Sequence, residues 1–196
     1  MESFFVQEYA EPHYDTCQTC NGTGKHRNDG EILALIHSEV SEAYFCVRNG
    51  TSKQVSKKFP ADRTVGKYFG SADVSEFAEE LADIVIRIAD WVEAQDLTMW
   101  KAGGITNIDT RINECRDGNG IRSVEFALLD CHTHLSCALE ELRGGLKFVG
   151  RARDWLEDVV VIVVEIAKDQ GINLEKAIEW KCEYNAGRPQ KHGKKF

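Results

Sequence analysis

Two pairs of acidic residues stand at positions that helical periodicity assigns to the interior of the protein. Glu39 and Glu42 continue the apolar stripe of one predicted helix. Glu80 and Asp83 continue the stripe of the next. Residues three apart share a helix face, so each pair would repel and lose hydration, at a cost of several kcal/mol per charge. A hard divalent cation with oxygen ligands, Mg²⁺ or Mn²⁺, is the simplest compensation.

Helices must position these side chains, and periodicity predicts five long helices and a short one. Asp73 or Ser71 is the expected N-cap of the second helix, and Asn173 that of the last. The predicted helices cover about 31–48, 73–95, 98–102, 121–143, 150–169 and 174–186. The sequence therefore predicts an all-α fold.

Composition narrows the functional classes. The 196 residues are 42% hydrophobic and 29% charged, with a formal net charge of −8. General nucleic-acid binding depends on Lys and Arg, so we expect no stable nucleic-acid complex. The longest apolar run, Val159–Val164, is far too short for a membrane span, and no signal peptide is visible. We therefore expect no membrane association. Seven cysteines, mostly in helical patterns, favour a reducing cytoplasm.

The chain also contains an internal repeat. Leu81-Ala-Asp83-Ile-Val aligns with Leu156-Glu-Asp158-Val-Val at a shift of 75 positions, and Arg48-Asn-Gly50 with Arg143-Gly-Gly145 at a shift of 95. The second copy therefore has a loop shorter by 20 residues. We expect a four-helix-bundle-type core built from two tandem helix–loop–helix repeats in one chain.

The two copies differ where the acidic residues stand. Asp83 keeps its counterpart, Asp158. The equivalents of Glu39, Glu42 and Glu80 are His134, Cys137 and Trp155. One site is thus predicted to be intact and one lost. We expect His134, Cys137 and Asp158 to pack in the core of the bundle. The alternative is that these three residues form a converted metal site.

The ordered motifs are Glu39-Val-Ser-Glu42, Arg48-Asn-Gly50, Glu80-Leu-Ala-Asp83 and the tail Lys181-Cys-Glu-Tyr184-Asn185 with Arg188-Pro189. Together they resemble the MazG-like, all-α nucleoside triphosphate pyrophosphohydrolases. The resemblance divides the chain into an irregular N-terminal segment (1–30), an intact repeat (31–102), a linker (103–120) and a degenerate repeat with the Lys/Asn tail (121–196).

The resemblance implies Mg²⁺-dependent hydrolysis of nucleoside triphosphates to the monophosphate and pyrophosphate. Glu39, Glu42, Glu80 and Asp83 would be the metal ligands and catalytic residues. Lys181 and Asn185, with Arg188 as a helper, would contact the substrate phosphates. Family members usually assemble their bundle from two subunits, whereas the tandem copy here would make a pseudo-dimer in one chain, with or without further homodimerisation.

Three questions stay open in the sequence. The Lys181/Asn185 tail would serve either the intact site or the degenerate one. Arg87 would contact phosphate or, as we favour, pair with Asp83 or Glu80. Glu79 or Glu42 would take the proton of the water that attacks the α-phosphorus, while the metal neutralises the departing pyrophosphate. A non-catalytic bundle that senses nucleotide or docks a partner is the alternative function.

A CxxC motif, Cys17-Gln-Thr-Cys20, lies near the N-terminus. A structural zinc ion needs four ligands. His13 and His26 could supply the other two, or two chains could each contribute one CxxC motif. We favour a loop with two free thiols over this zinc site.

Overall fold

Five α-helices make up the described part of the chain. The computed structural model describes residues 29–52, 74–95, 97, 123–144 and 149–186. The helices are α1 (Asp29–Arg48), α2 (Glu76–Ala94), α3 (Val124–Arg143), α4 (Val149–Asp169) and α5 (Leu174–Ala186). Since these residues contain no strand, the all-α prediction is confirmed. The predicted short helix at 98–102 lies outside the described residues.

The helices pack as two hairpins with a fifth helix against one of them. α1 packs on α2 and α3 packs on α4, while α1 also contacts α3 and α2 contacts α4. Both hairpins are antiparallel, because Trp91 near the end of α2 reaches Asp29 at the start of α1, and Arg151 of α4 reaches Glu141 of α3. α5 packs on α2, so the end of the second copy lies against the first.

A continuous apolar core holds the four long helices together. Its largest fully buried side chains include Ile36 of α1, Phe77 and Trp91 of α2, Leu135 of α3 and Leu156 of α4. Each such burial contributes about 1.5–3 kcal/mol relative to an exposed side chain. None of the described helices combines the length and apolar character that crossing a bilayer requires.

Local signals account for the helix ends. Asn173 caps α5, as predicted, and its Oδ1 accepts a hydrogen bond from Lys176 N at 3.0 Å. The predicted cap of α2, Asp73 or Ser71, was wrong: Ser75 is the cap, and its Oγ accepts from Ala78 N at 3.1 Å. Several polar residues precede this helix, and the choice among them depends on where the backbone turns helical.

Glycines terminate α1 and α4 in the same way. Gly50 and Gly171 have φ values of 67° and 65°, a region that favours glycine. The amide of the next residue then returns to a carbonyl five residues back, Thr51 to Cys46 at 2.9 Å and Ile172 to Ala167 at 2.8 Å. This is the Schellman arrangement that satisfies the last helical carbonyls.

The α1–α3 contact is made by residues that the repeat relates to each other. His37 and His132, 95 positions apart, bring their Nδ1 atoms to 2.7 Å with ring planes 8° apart. Ser41 and Ser136, also 95 apart, each donate to the carbonyl oxygen of the histidine one turn earlier, both at 2.8 Å. Equivalent residues meet each other where a two-fold axis passes, so this contact supports two copies related by pseudo-symmetry.

Candidate metal centre

Three acidic residues from α1 and α2 converge inside the bundle. Glu39, Glu80 and Asp83 are only 6%, 7% and 8% exposed. One carboxylate oxygen of each lies within 4.8 Å of the others. Unit charges 4.8 Å apart repel by about 3.5 kcal/mol at an effective dielectric constant of about 20. The arrangement therefore needs cationic groups, from the chain or from a bound ion.

Glu42, the fourth predicted ligand, lies outside this group. Its side chain is exposed and accepts a hydrogen bond from Ser38 Oγ at 3.3 Å. A step of three residues turns a helix by about 300°, so Glu42 is rotated by about 60° from Glu39. This rotation carries it from the buried stripe of α1 to the edge, where water is accessible.

Arg87 supplies one cation, on α2. Its Nε donates to Glu39 Oε1 at 2.6 Å, and its Nη2 lies 2.5 Å from the same oxygen. Arg87 pairs with Glu39 across the helix pair, a partner that we did not expect, and its charge also attracts Asp83, one of the two partners that we expected on the same helix. The side chain of Arg87 thus ties α2 to the acidic residue of α1.

Lys181 supplies the second cation, from α5. Its Nζ lies 2.5 Å from Glu79 Oε1 and 2.5 Å from Asp83 Oδ2. The lysine side chain is 5% exposed and that of Glu79 is 1% exposed. Helix α5 of the second copy therefore brings Lys181 to the acidic residues of the first copy.

The other two predicted substrate contacts are only partly located. Asn185 lies one turn beyond Lys181 on α5 and is half-buried, so both residues share a face of the helix. Arg188 lies outside the described residues. The structure thus places two of the three predicted phosphate contacts on the helix that reaches the acidic group.

Burial governs the protonation of this group. Loss of hydration raises the pKa of Glu39, against the opposing attraction of Arg87. Burial likewise raises the pKa of Asp83, against the opposing attraction of Lys181. Four carboxylates, those of Glu39, Glu79, Glu80 and Asp83, and two cations, those of Arg87 and Lys181, give these six groups a formal sum of −2. A dication would match that sum.

The donor set fits a small hard cation. Mg²⁺–oxygen distances are about 2.1 Å, so opposite ligands around the ion lie about 4.2 Å apart. The three carboxylate oxygens all lie within 4.8 Å of one another, so no pair of them is much further apart than opposite ligands of one ion. A bound dication would remove their mutual repulsion, and water would fill the remaining coordination positions.

Glu79 has a role that the sequence did not reveal. It was expected only as one of two proton acceptors, yet it is fully buried and bound to Lys181. Its spacing offered a signal: Glu79 and Asp83 are four residues apart on α2, so one cation can bridge them. The identity of that cation could not be read from α2, because it lies 102 residues away.

The equivalent position in the second copy is filled by packing. His134 Nδ1 lies 3.6 Å from Asp158 Oδ2, and Trp155 packs on the His134 ring at 5.4 Å between centroids. Trp155 stands where the first copy has Glu80, and Cys137, in the place of Glu42, is half-buried. Within the described residues, no metal-binding group of three ligands forms there.

The proposed zinc ligands Cys17, Cys20, His13 and His26 lie outside the described residues. Among the described cysteines, Cys46, Cys131, Cys137 and Cys182 are free thiols.

No family model, curated protein or solved structure matches this chain. The likeness to the MazG-like enzymes therefore depends on the sequence motifs alone.

Proposed function

We propose that this protein hydrolyses (deoxy)nucleoside triphosphates to the monophosphate and pyrophosphate, with Mg²⁺ or Mn²⁺, at one site per chain. The observation that carries the proposal is the buried group of Glu39, Glu80 and Asp83, with a lysine from the second copy beside it. Buried carboxylates at this spacing are costly for stability alone, and they have the oxygen chemistry that Mg²⁺ prefers.

The carboxylates of Glu39, Glu80 and Asp83 would hold the cation. Bound Mg²⁺ would supply a nearby positive charge that polarises the attacking water and neutralises the departing pyrophosphate. Arg87 keeps the carboxylate of Glu39 oriented toward the group. The chain thus contributes a set of carboxylate oxygens held on two packed helices, α1 and α2.

Lys181 and Asn185 would bind the triphosphate from the α5 side. The ammonium of Lys181 offers hydrogen-bond donors to phosphate oxygens, and the amide of Asn185 lies one turn away on the same face. Glu42 would take the proton of the attacking water, because it is exposed and only one turn from Glu39. Glu79 is less suited to that task, since Lys181 already occupies its carboxylate.

Pyrophosphate release tests the proposal. The purified chain is incubated with each dNTP and NTP and with Mg²⁺ or Mn²⁺, and pyrophosphate is measured. Glu39→Gln and Glu80→Gln should each lower release at least a hundredfold, whereas Glu165→Gln, a buried glutamate of α4 outside the acidic group, should retain it. Absence of release from every nucleotide by the unaltered chain would exclude the enzymatic function.

A second candidate is a non-catalytic bundle that senses nucleotide or docks a partner. One observation favours it: Glu39 and Asp83 are already paired with Arg87 and Lys181 in this structure. Such pairs can serve as a closed polar network. Calorimetric binding of a nucleotide with no pyrophosphate formed would support this candidate over the enzyme.

A further inference from the structure

Lys181 occupies a position that bears directly on the binding of a metal. Its Nζ lies 2.5 Å from Asp83 Oδ2, and Asp83 belongs to the three-carboxylate group. A cation on that carboxylate would sit about 2.1 Å from its oxygen. The ammonium and the ion would then be close neighbours, each drawn to the same carboxylate and repelled by the other.

The lysine also has a second anchor. Glu79 holds the same Nζ at 2.5 Å, from a carboxylate that is almost completely buried. Because Glu79 and Asp83 are one turn apart on α2, a small rotation of the lysine side chain would release Asp83 while the contact with Glu79 remains. The ammonium can therefore leave the metal ligand without becoming a buried, unpaired charge, which would be costly.

A polyphosphate would supply the reason for such a movement. Its oxygens carry negative charge and accept strong hydrogen bonds from an ammonium group. An anion near α5 would attract Lys181 away from Asp83, and the freed carboxylate would then be available to a dication. Metal and polyphosphate would each favour the state that binds the other, since coupling between two sites is reciprocal.

We propose that Lys181 is a built-in competitor of the metal, which holds Asp83 in the metal-free protein and releases it when a polyphosphate binds. This inference rests on the proposed function, because it assumes that the acidic group binds a dication. It adds a regulatory property to that site: the protein alone binds the metal weakly, and the polyphosphate strengthens metal binding through one lysine.

The experiment measures Mn²⁺ binding by electron paramagnetic resonance in the absence of nucleotide. Lys181→Met keeps the aliphatic stem and removes the charge, and it should bind Mn²⁺ at least tenfold more tightly than the unaltered chain. Lys176→Met, on the same helix but outside the acidic group, controls for the loss of one positive charge and should leave the affinity unchanged.

A second variant guards against misfolding. Lys181→Met leaves Glu79 buried without its lysine, so the double variant Glu79→Gln/Lys181→Met removes that charge as well and should also bind Mn²⁺ more tightly. Circular dichroism verifies that each variant is folded. Unchanged or weaker Mn²⁺ binding in both variants would overturn the competition, while pyrophosphate release by the unaltered chain would leave the proposed function standing.

A different result in the Mn²⁺-binding measurement would exclude the proposed function itself. If neither the unaltered chain nor any variant binds Mn²⁺ at millimolar concentration, the acidic group is not a metal site. The metal-dependent function is then excluded together with the competition. Tighter Mn²⁺ binding in both Lys181 variants, with Lys176→Met unchanged, supports the competition.

Discussion

His37 and His132 share a hydrogen bond between their Nδ1 atoms, 2.7 Å apart, where α1 meets α3. The ring centroids are 5.0 Å apart and the planes differ by 8°, so the rings lie edge to edge in nearly one plane. Only one of the two nitrogens can donate a proton in this geometry, and the other must accept. The contact therefore requires that at least one imidazole stay neutral.

This pair predicts a loss of stability in acid. Burial and the neighbouring His132 lower the pKa of His37 from 6.5, and burial lowers the pKa of His132. The unfolded chain therefore binds protons more tightly than the folded one, so stability begins to fall as the pH drops below about 6.5 and continues to fall until the pH passes the lowered pKa values of the folded state. Urea unfolding midpoints between pH 7.5 and 5.5 measure the effect.

His132→Asn should flatten that dependence, because it removes one titrating group and keeps a polar atom near the Nδ1 position. His134→Asn, two residues along α3, serves as the control and should retain the steep decline. An equally steep decline in His132→Asn would show that acid acts on the fold elsewhere.

A second prediction concerns Arg87 and its partner. Arg87→Gln leaves the carboxylate of Glu39 buried beside Glu80 and Asp83, and it should cost about 2–4 kcal/mol of unfolding free energy. Added Mg²⁺ should recover more stability in this variant than in the unaltered chain, because the ion replaces the missing cation. Thermal unfolding with and without Mg²⁺ gives both quantities.

Arg143→Gln is the matched control, since Arg143 pairs with Glu140 in an exposed contact. It should change stability by less than about 1 kcal/mol and should be insensitive to Mg²⁺. If Mg²⁺ stabilised neither the Arg87 variant nor the unaltered chain, the acidic group would be a closed ion-pair network.

The internal repeat offers a test with its own control. Asp83 and Asp158 are equivalent by the repeat, but only Asp83 lies in the three-carboxylate group. Asp83→Asn should lower pyrophosphate release at least a hundredfold, and Asp158→Asn should change it by less than fivefold, in line with transition-state contributions of several kcal/mol from metal sites. Equal losses in both would mean that the two halves contribute alike to catalysis.

A further prediction concerns Asp29, whose replacement should affect only the stability of the fold. Its Oδ1 accepts hydrogen bonds from Trp91 Nε1 at 3.0 Å and from Gln95 Nε2 at 2.9 Å. Asp29→Ala should cost about 1–3 kcal/mol, because the buried indole loses its acceptor. Asp29→Asn, which keeps an acceptor oxygen, should recover most of that loss in urea unfolding at neutral pH. A loss as large as that of the alanine variant would assign the effect to charge.

The described helices were predicted well from the sequence pattern. The wrong predictions, for Glu42 and for the N-cap of α2, concern features that the pattern alone does not determine. Periodicity placed Glu39, Glu80 and Asp83 on buried faces, because local geometry alone determines which residues share a side of a helix. The same reasoning misplaced Glu42, since a three-residue step leaves a residue near the edge of the face and the neighbouring helix decides whether it is covered. The N-cap of α2 was missed for a similar reason.

The sequence by itself determined the helices, the buried acidic positions and the divergence of the two copies, because each depends on residue type at short spacing. Only the tertiary structure decided which basic side chains form ion pairs with those carboxylates. Arg87 crosses to Glu39 on α1, and Lys181 reaches Glu79 from 102 residues away. These partners depend on how α1 and α5 pack on α2. Packing depends on side chains that are far apart in the sequence, so a pattern at short spacing does not reveal it.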